Sequence, residues 1–151
     1  MKKIILLIFF TLFVSCGFKP MFSNTETNFS INKIEFNNKL GKVINNNLKP
    51  YISREGKQFD YDIIISAREN KIISLKDKKG DAVSFRLSLE IDLLVSENNE
   101  IKIEKNYTKK FDYNNTSKKF DLSKYEGEIK NSMLNKISEE IILDLYTIQW
   151  Y

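Results

Sequence analysis

The feature that most constrains this chain is a period-two alternation through its middle. From Phe59 the odd positions read Phe59, Tyr61, Ile63, Ile65 and Ala67, against Asp60, Asp62, Ile64, Ser66 and Arg68 at the even ones. The pattern blurs over 69–72 and resumes at Ile73 and Leu75. After the turn KDKKGD, which contains Gly80, come Val83, Phe85, Leu87, Leu89, Ile91, Leu93 and Val95, all odd. Against them stand Ala82, Ser84, Arg86, Ser88, Glu90, Asp92, Leu94 and Ser96. SENNE makes a second turn, and Ile101, Ile103, Tyr107, Phe111 and Tyr113 carry the odd series on. Successive side chains of a strand point to opposite faces, so a period of two over this length requires strands with one buried and one wet face. Turns of about five residues between them predict an antiparallel meander.

On either side the apolar spacing changes. INKIEF at 31–36 is a short strand with Ile34 and Phe36 on one face. Leu40, Val43, Ile44, Leu48 and Ile52 recur at helical spacing, with Asn37 or Asn38 as N-cap and Pro50 ending the helix near Lys49. In the last segment Tyr125, Ile129, Met133, Ile137, Ile141 and Leu145 are spaced by four, with Leu134 and Ile142 beside them, which predicts a long amphipathic helix. Ser123 and Glu126 fit a capping box at its start. The aromatic tail YTIQWY is expected to pack against the sheet edge or a partner. One apolar sheet face and two apolar helix stripes must cover each other. The predicted class is α+β: a two-layer sandwich, with an about four-stranded, mainly antiparallel sheet covered on one face by two helices.

The start of the chain has a different character. Lys2 and Lys3 precede an apolar run of eleven residues, Ile4 to Val14, broken only by Thr11. A bilayer-spanning helix needs about 20 apolar residues, so this run is too short to span and fits the core of a signal peptide. Ser15 and Cys16, the only cysteine, come directly after it and resemble the lipobox of bacterial lipoproteins. In that class the peptide is cut before the cysteine, the thiol is diacylated and the new amino group is acylated, giving an N-palmitoyl, S-diacylglycerol Cys16. Phe13 stands where leucine is usual, and Gly17 rather than an aspartate comes after the cysteine, which by bacterial sorting rules directs the protein to the outer membrane. The expected division is a signal peptide at 1–15, a lipid-anchored tether at 16–30 and a single α+β domain at 31–151. Loss of Lys2 and Lys3 lowers the formal net charge from +4 to +2, which is not the footprint of a nucleic-acid binder.

Little catalytic chemistry is on offer. There is no histidine and one cysteine, which removes the commonest general base and any intramolecular disulfide. Asp60 with Asp62 and Glu90 with Asp92 are carboxylate pairs on the wet side of strands, interleaved with arginine and lysine, and read as a solvated sheet face. No phosphate loop, nucleophile set or metal-ligand spacing occurs, so a binding or structural role without a cofactor is expected.

Several stretches in order carry a family resemblance. They are CGFKPMF after the signal peptide, then INKIEF, LGKVINNNLKPYI, FDYDIIIS, AVSFRLSLEIDLLV, YTKKFDYNNTS and the final helix. Together they resemble the lipopolysaccharide-assembly lipoproteins of the LptE type, and they cover nearly all of the mature chain. The aromatic LYTIQWY departs from the polar ending of many relatives. The resemblance implies an outer-membrane lipoprotein that plugs the barrel protein LptD, helps it assemble and supports lipopolysaccharide transport to the outer leaflet. Lys76, Lys78 and Lys79 in a turn, and Arg86 on the polar face, are the candidate contacts for lipopolysaccharide phosphates. The alternative is an accessory lipoprotein of another envelope lipid-transport or barrel-assembly machine.

Overall fold

The computed structural model describes residues 27–150. The expected signal peptide, the acylated Cys16 and most of the tether lie outside the described residues. The elements are β1 (Phe29–Phe36), α1 (Lys39–Leu48), β2 (Phe59–Lys76), β3 (Ala82–Glu97), β4 (Glu100–Asn114) and α2 (Lys119–Thr147), with short 3-10 turns at Lys49–Tyr51 and Ile148–Trp150. The sheet order is β1-β2-β3-β4. β2, β3 and β4 form the antiparallel meander, and β1 lies parallel to β2. Parallel neighbours need a crossover, and α1 supplies it. Both helices pack on one sheet face, so the class is the α+β one that the alternation predicts.

The core keeps closely to the odd positions. Tyr61, Ile63, Ile65 and Ala67 of β2 and Leu87, Leu89, Ile91, Leu93 and Val95 of β3 are buried. They meet Ile44 and Leu48 of α1 and the stripe Leu122, Ile129, Met133, Leu134, Ile137, Ile141 and Leu145 of α2 in one cluster. Ile73 and Val83 continue the same alternation yet stay 46% and 38% exposed, and Leu75, which a register shift after Ile73 pairs with Ser84, is 57% exposed. The strands extend further than the helices that cover them.

β1 starts at Phe29, ahead of the expected Ile31, and Thr27, Phe29 and Ser30 are buried. Arg54 holds both hydroxyls, through its amide to Ser30 at 2.9 Å and its guanidinium to Thr27 at 3.2 Å, and a bulge between Ile31 and Lys33 sets which residues face inward. A bulge inserts one residue and flips the parity of the strand beyond it. Phe29 and Ile31 therefore share the inner face with Ile34 and Phe36, although their numbers differ in parity. Phe29 stacks on Tyr51 at 5.5 Å, and Tyr146 meets it edge-on at 5.4 Å. The C-terminal end of α2 thus packs against the edge strand β1.

Two asparagines fix the start of α1. Asn38 Oδ1 accepts from the Leu40 and Gly41 amides at 3.0 and 3.2 Å, the N-cap arrangement, while its amide donates to the Ala67 carbonyl at 2.6 Å. Asn37 Oδ1 accepts from the Ala67 amide at 3.1 Å. The cap is at once the tie between helix and sheet. The capping box expected in the last helix is not formed. α2 starts at Lys119, Ser123 lies inside it, and the N-cap residue Lys118 makes no side-chain cap hydrogen bond. Asn115 sets that start by binding the Ala82 and Val83 carbonyls at 2.7 and 2.8 Å, and Glu126 is drawn to the sheet instead.

Candidate functional site

Three surfaces carry chemistry: the open face of the sheet, the seam between sheet and α2, and the far end of the β2–β3 arm. On the open face the even positions form ladders across strands. Arg68 reaches Asp92 at 2.8 Å and Glu90 at 3.5 Å. Asp92 also accepts from Asn106 at 2.7 Å, and Asn106 from Thr108 at 2.9 Å. Asn32 donates to Asp62 at 2.9 Å. Arg86 holds Asp112 through Nε and a terminal nitrogen, both at 2.8 Å. These hydrogen bonds keep the Asp112 carboxyl below its ordinary range and hold the Arg86 guanidinium more firmly charged. The carboxylate pairs noticed in the sequence are on this wet face, with Glu90, Asp92 and Asp62 all partnered. Among the described residues no group of histidine, cysteine, aspartate or glutamate is arranged to hold a metal, and no helix is long and apolar enough to cross a membrane.

The seam is made of charges on the inner face. Lys71 of β2 binds Glu126, which also accepts from the Tyr113 hydroxyl at 2.9 Å. Lys130 binds Glu69 at 2.7 Å, Lys109 binds Glu140, and Lys105 binds Asp144 at 2.7 Å. The Tyr107 hydroxyl donates to Asp144 as well, and burial, with that carboxylate second, pushes its pKa far up. Burial opposes ionisation of Glu126, but the hydrogen bonds from Lys71 and Tyr113 win and leave it below its ordinary range. These charge pairs went unread in the sequence. The available signal was the placing of Lys105 and Lys109 at odd, inward positions of β4, opposite Leu93 and Leu89 of β3.

At the far end Lys76 closes β2, and Lys78 and Lys79 lie in the turn at 77–81. Asp77 shapes this turn by accepting from the Lys79 and Asp81 amides at 2.8 and 2.9 Å, and Gly80 takes a φ of +90 that side chains disfavour. The three lysines are exposed, and among the described residues none is joined to a carboxylate. Arg86 is not brought to them. It sits back along β3, across from Ile72, with Asp112 as its partner.

Solved structures of other proteins share this arrangement. The rare lipoprotein B of Shewanella oneidensis superposes with a TM-score of 0.61 at 9% identity, over 78% of this chain and 96% of that one. The fold is that of the LptE and rare lipoprotein B type. The minor lipoprotein of Acinetobacter baumannii matches at TM-score 0.60 and 11% identity, over 80% of this chain and 92% of that one. A lipoprotein B from Nitrosomonas europaea gives 0.60 and 13%, over 80% and 84%. At such identities the likeness is one of fold, and it agrees with the resemblance in the sequence. No protein-family model matches the chain, and no curated protein matches it in sequence.

Proposed function

We propose that this chain is an outer-membrane lipoprotein, anchored on the periplasmic side through acylated Cys16, that plugs and helps assemble the LptD barrel and supports lipopolysaccharide transport to the outer leaflet. It works by binding, without turnover. The observation that carries the reading is the open sheet face, on a fold shared with bacterial lipoproteins. Its two arginines are each held by carboxylates across strands, and Asp62 by Asn32, so it presents a largely polar wall with these charges partnered. The lumen of an outer-membrane barrel is polar and hydrated, and such a wall can face it without losing water from unpaired charges.

Lys76, Lys78 and Lys79 supply the contacts for lipopolysaccharide phosphates, as ammonium groups do for oxyanions generally. Arg86 contributes by exchanging Asp112 for a phosphate, since its planar fork takes either anion through two hydrogen bonds. The test has three readouts. Tagged protein is expected to retain LptD from a detergent extract. It is expected to bind lipopolysaccharide more weakly as salt rises, because exposed charges are screened. Cys16→Ala is expected to leave an unacylated product, read by mass spectrometry. A protein that retains neither the barrel nor the lipid refutes the reading.

A further inference from the structure

The chain enters the sheet at the end opposite the β2–β3 turn, and its entry point is fixed. Thr27 is buried there, with its hydroxyl held by the Arg54 guanidinium at 3.2 Å. The Asn28 carbonyl accepts from the Gln58 and Phe59 amides at 2.9 and 3.2 Å, and Phe29 pairs with Phe59. Next to this point the inner face is not filled. α2 ends at Thr147, and beyond it lies a depression of about 480 Å³ lined by Phe59, Tyr61, Ile101 and Ile148, with Glu97 and Lys102. Phe59 and Tyr61 stack at 6.4 Å, and Ile101 is 59% exposed. Lys102 is shared by Glu100 at 2.6 Å and Glu97 at 3.9 Å, so two carboxylates there divide one ammonium.

The chain ahead of Thr27 has the matching chemistry. Residues 17–26 read GFKPMFSNTE, with Phe18, Pro20, Met21 and Phe22 apolar and Lys19 among them. Phe22 stands five residues before Thr27, a reach of about 17 Å at roughly 3.3 Å per residue. Neighbouring strands lie about 4.8 Å apart, and β3 and β4 are the first and second strands beyond β2, so the depression is within that reach. Charge agrees, because an added lysine meets the carboxylate that Lys102 serves least closely, Glu97. A segment of the same chain also docks at an effective concentration in the millimolar range. It avoids the entropy of bringing two molecules together, which a second copy or a foreign protein must overcome.

We propose that the segment Phe18 to Phe22 docks in this depression, with its apolar side chains against Phe59, Ile101 and Ile148 and Lys19 on Glu97. The docking itself rests on the depression, the entry point and the segment's composition. Its consequence rests on the anchoring of Cys16 proposed above. Cys16 is two residues ahead of Phe18, so a docked segment leaves almost no free tether between the acyl chains and the domain. The domain is then held with this end at the bilayer and the β2–β3 turn pointing away from it. β2 has 18 residues, about 60 Å at roughly 3.3 Å per residue, which sets how far from the bilayer the turn stands.

The test is limited chymotrypsin digestion of the full chain, purified from membranes in detergent, with cleavage after Phe18 and Phe22 followed by mass spectrometry. The wild type is expected to be cut at these bonds about tenfold or more slowly than Ile101→Ser, because cleavage follows the population of the undocked segment. Ile101 is exposed and far in sequence from both bonds, so docking is what makes the one report on the other. Ile72→Ser, an equally exposed change in the β2–β3 arm, is expected to leave the wild-type rate unchanged, and circular dichroism checks that each variant folds. Equal rates for wild type and Ile101→Ser overturn the inference. Both fast means an undocked segment, and both slow means that the micelle or another surface covers it. An acceleration by Ile72→Ser as large as that by Ile101→Ser overturns it too, since the effect is then a general loosening. The mass of the N-terminal fragment reads acylation of Cys16 separately. Protection that Ile101→Ser removes, on a fragment without acyl chains, supports the docking and refutes the anchoring.

Discussion

The two halves of the β2–β3 hairpin share one alternating pattern and one hydrogen-bonded ladder, yet they end in different environments. In the half nearer β1, Ile63, Ile65, Leu93 and Val95 are 1% exposed or less. In the half nearer the turn, Ile73 and Val83 point to the same side and stay 46% and 38% exposed. The difference lies in the second layer. Over the first half lie Ile44 and Leu48 of α1 and the later turns of α2. Over the second half only the first turns of α2 are available, and their reach is closed off by the Lys71–Glu126 pair. Alternation thus decides which residues share a face. Burial is decided by a separate stretch of sequence that must be long enough to lie over that face.

The most severe test of this contrast is Leu89→Ala. Leu89 is fully buried in the middle of β3. Truncating such a side chain loses transfer free energy and leaves a cavity, at a cost of about 2–5 kcal/mol. A urea titration reads this as a lowered midpoint. An unchanged midpoint would mean that the covered half is not covered, and the comparison would fail at its stronger end.

Two glycines give a sharper form of the same test. A Cβ added at Gly41 would lie 2.7 Å from the Phe36 Cβ, while at Gly127 it would meet nothing within 4 Å. The Phe36 Cβ is fixed to the strand backbone and cannot swing aside. By helix propensity alone, alanine is favoured at both positions by about 1 kcal/mol. Gly127→Ala is expected to gain about that much. Gly41→Ala is expected to lose about 1–3 kcal/mol through overpacking, against its propensity. Opposite signs in thermal midpoints confirm that α1 is pressed on β1 while that part of α2 stands clear. A gain at both sites would show that α1 can lift from the sheet.

Most of the layering was legible in the sequence because the side-chain period of a strand is strict. The buried odd residues of β3, from Leu87 to Val95, could be named from the pattern, and the cap of α1 could be narrowed to Asn37 or Asn38, of which Asn38 takes the role. The features that escaped the pattern had physical causes. The bulge after Ile31 reverses parity, so Phe29 looked like part of a tether when it is a buried member of β1. The start of α2 is fixed by Asn115 reaching across to β3, a contact between residues distant in sequence, so the local Ser123–Glu126 signature was misleading. Lys78 and Lys79 lie in the turn that KDKKGD marks, with Lys76 at the end of β2 before it, but the pairing of Arg86 with Asp112 is a cross-strand contact that only register reveals.

At the boundary between the two halves, Glu126→Gln should act through pH. Its folded pKa lies below the ordinary value of 4.5 because Lys71 and Tyr113 hydrogen-bond the carboxylate against the opposing effect of burial. A depressed carboxylate stabilises the fold above its unfolded pKa, and the contribution is lost as pH falls through the folded value. The wild type should therefore exceed the variant near neutral pH and converge with it in acid, once the pH has fallen through the depressed folded pKa. The pair is partly exposed, so screening limits the difference to about 1 kcal/mol or less. Unfolding midpoints of the two proteins across this range measure it. A difference that persists in acid would assign the role of Glu126 to packing instead of charge.

The smallest stability effect is expected at the tip, and its smallness is what the contrast requires. Leu75 is 57% exposed, so Leu75→Ser removes apolar surface that folding leaves largely in water. Little transfer free energy is at stake, and the midpoint should move by about 0.5 kcal/mol or less. Self-association should respond more. Contiguous exposed apolar side chains favour contact between molecules, so the serine variant should sediment as monomer at concentrations where the wild type begins to associate. The lysines at 76, 78 and 79 oppose that association through repulsion, which salt weakens, so the gap between variant and wild type should widen as ionic strength rises. A loss of stability as large as that of Leu89→Ala would mean that the arm is covered in the free protein. The uncovered half of the sheet would then be no more open than the core.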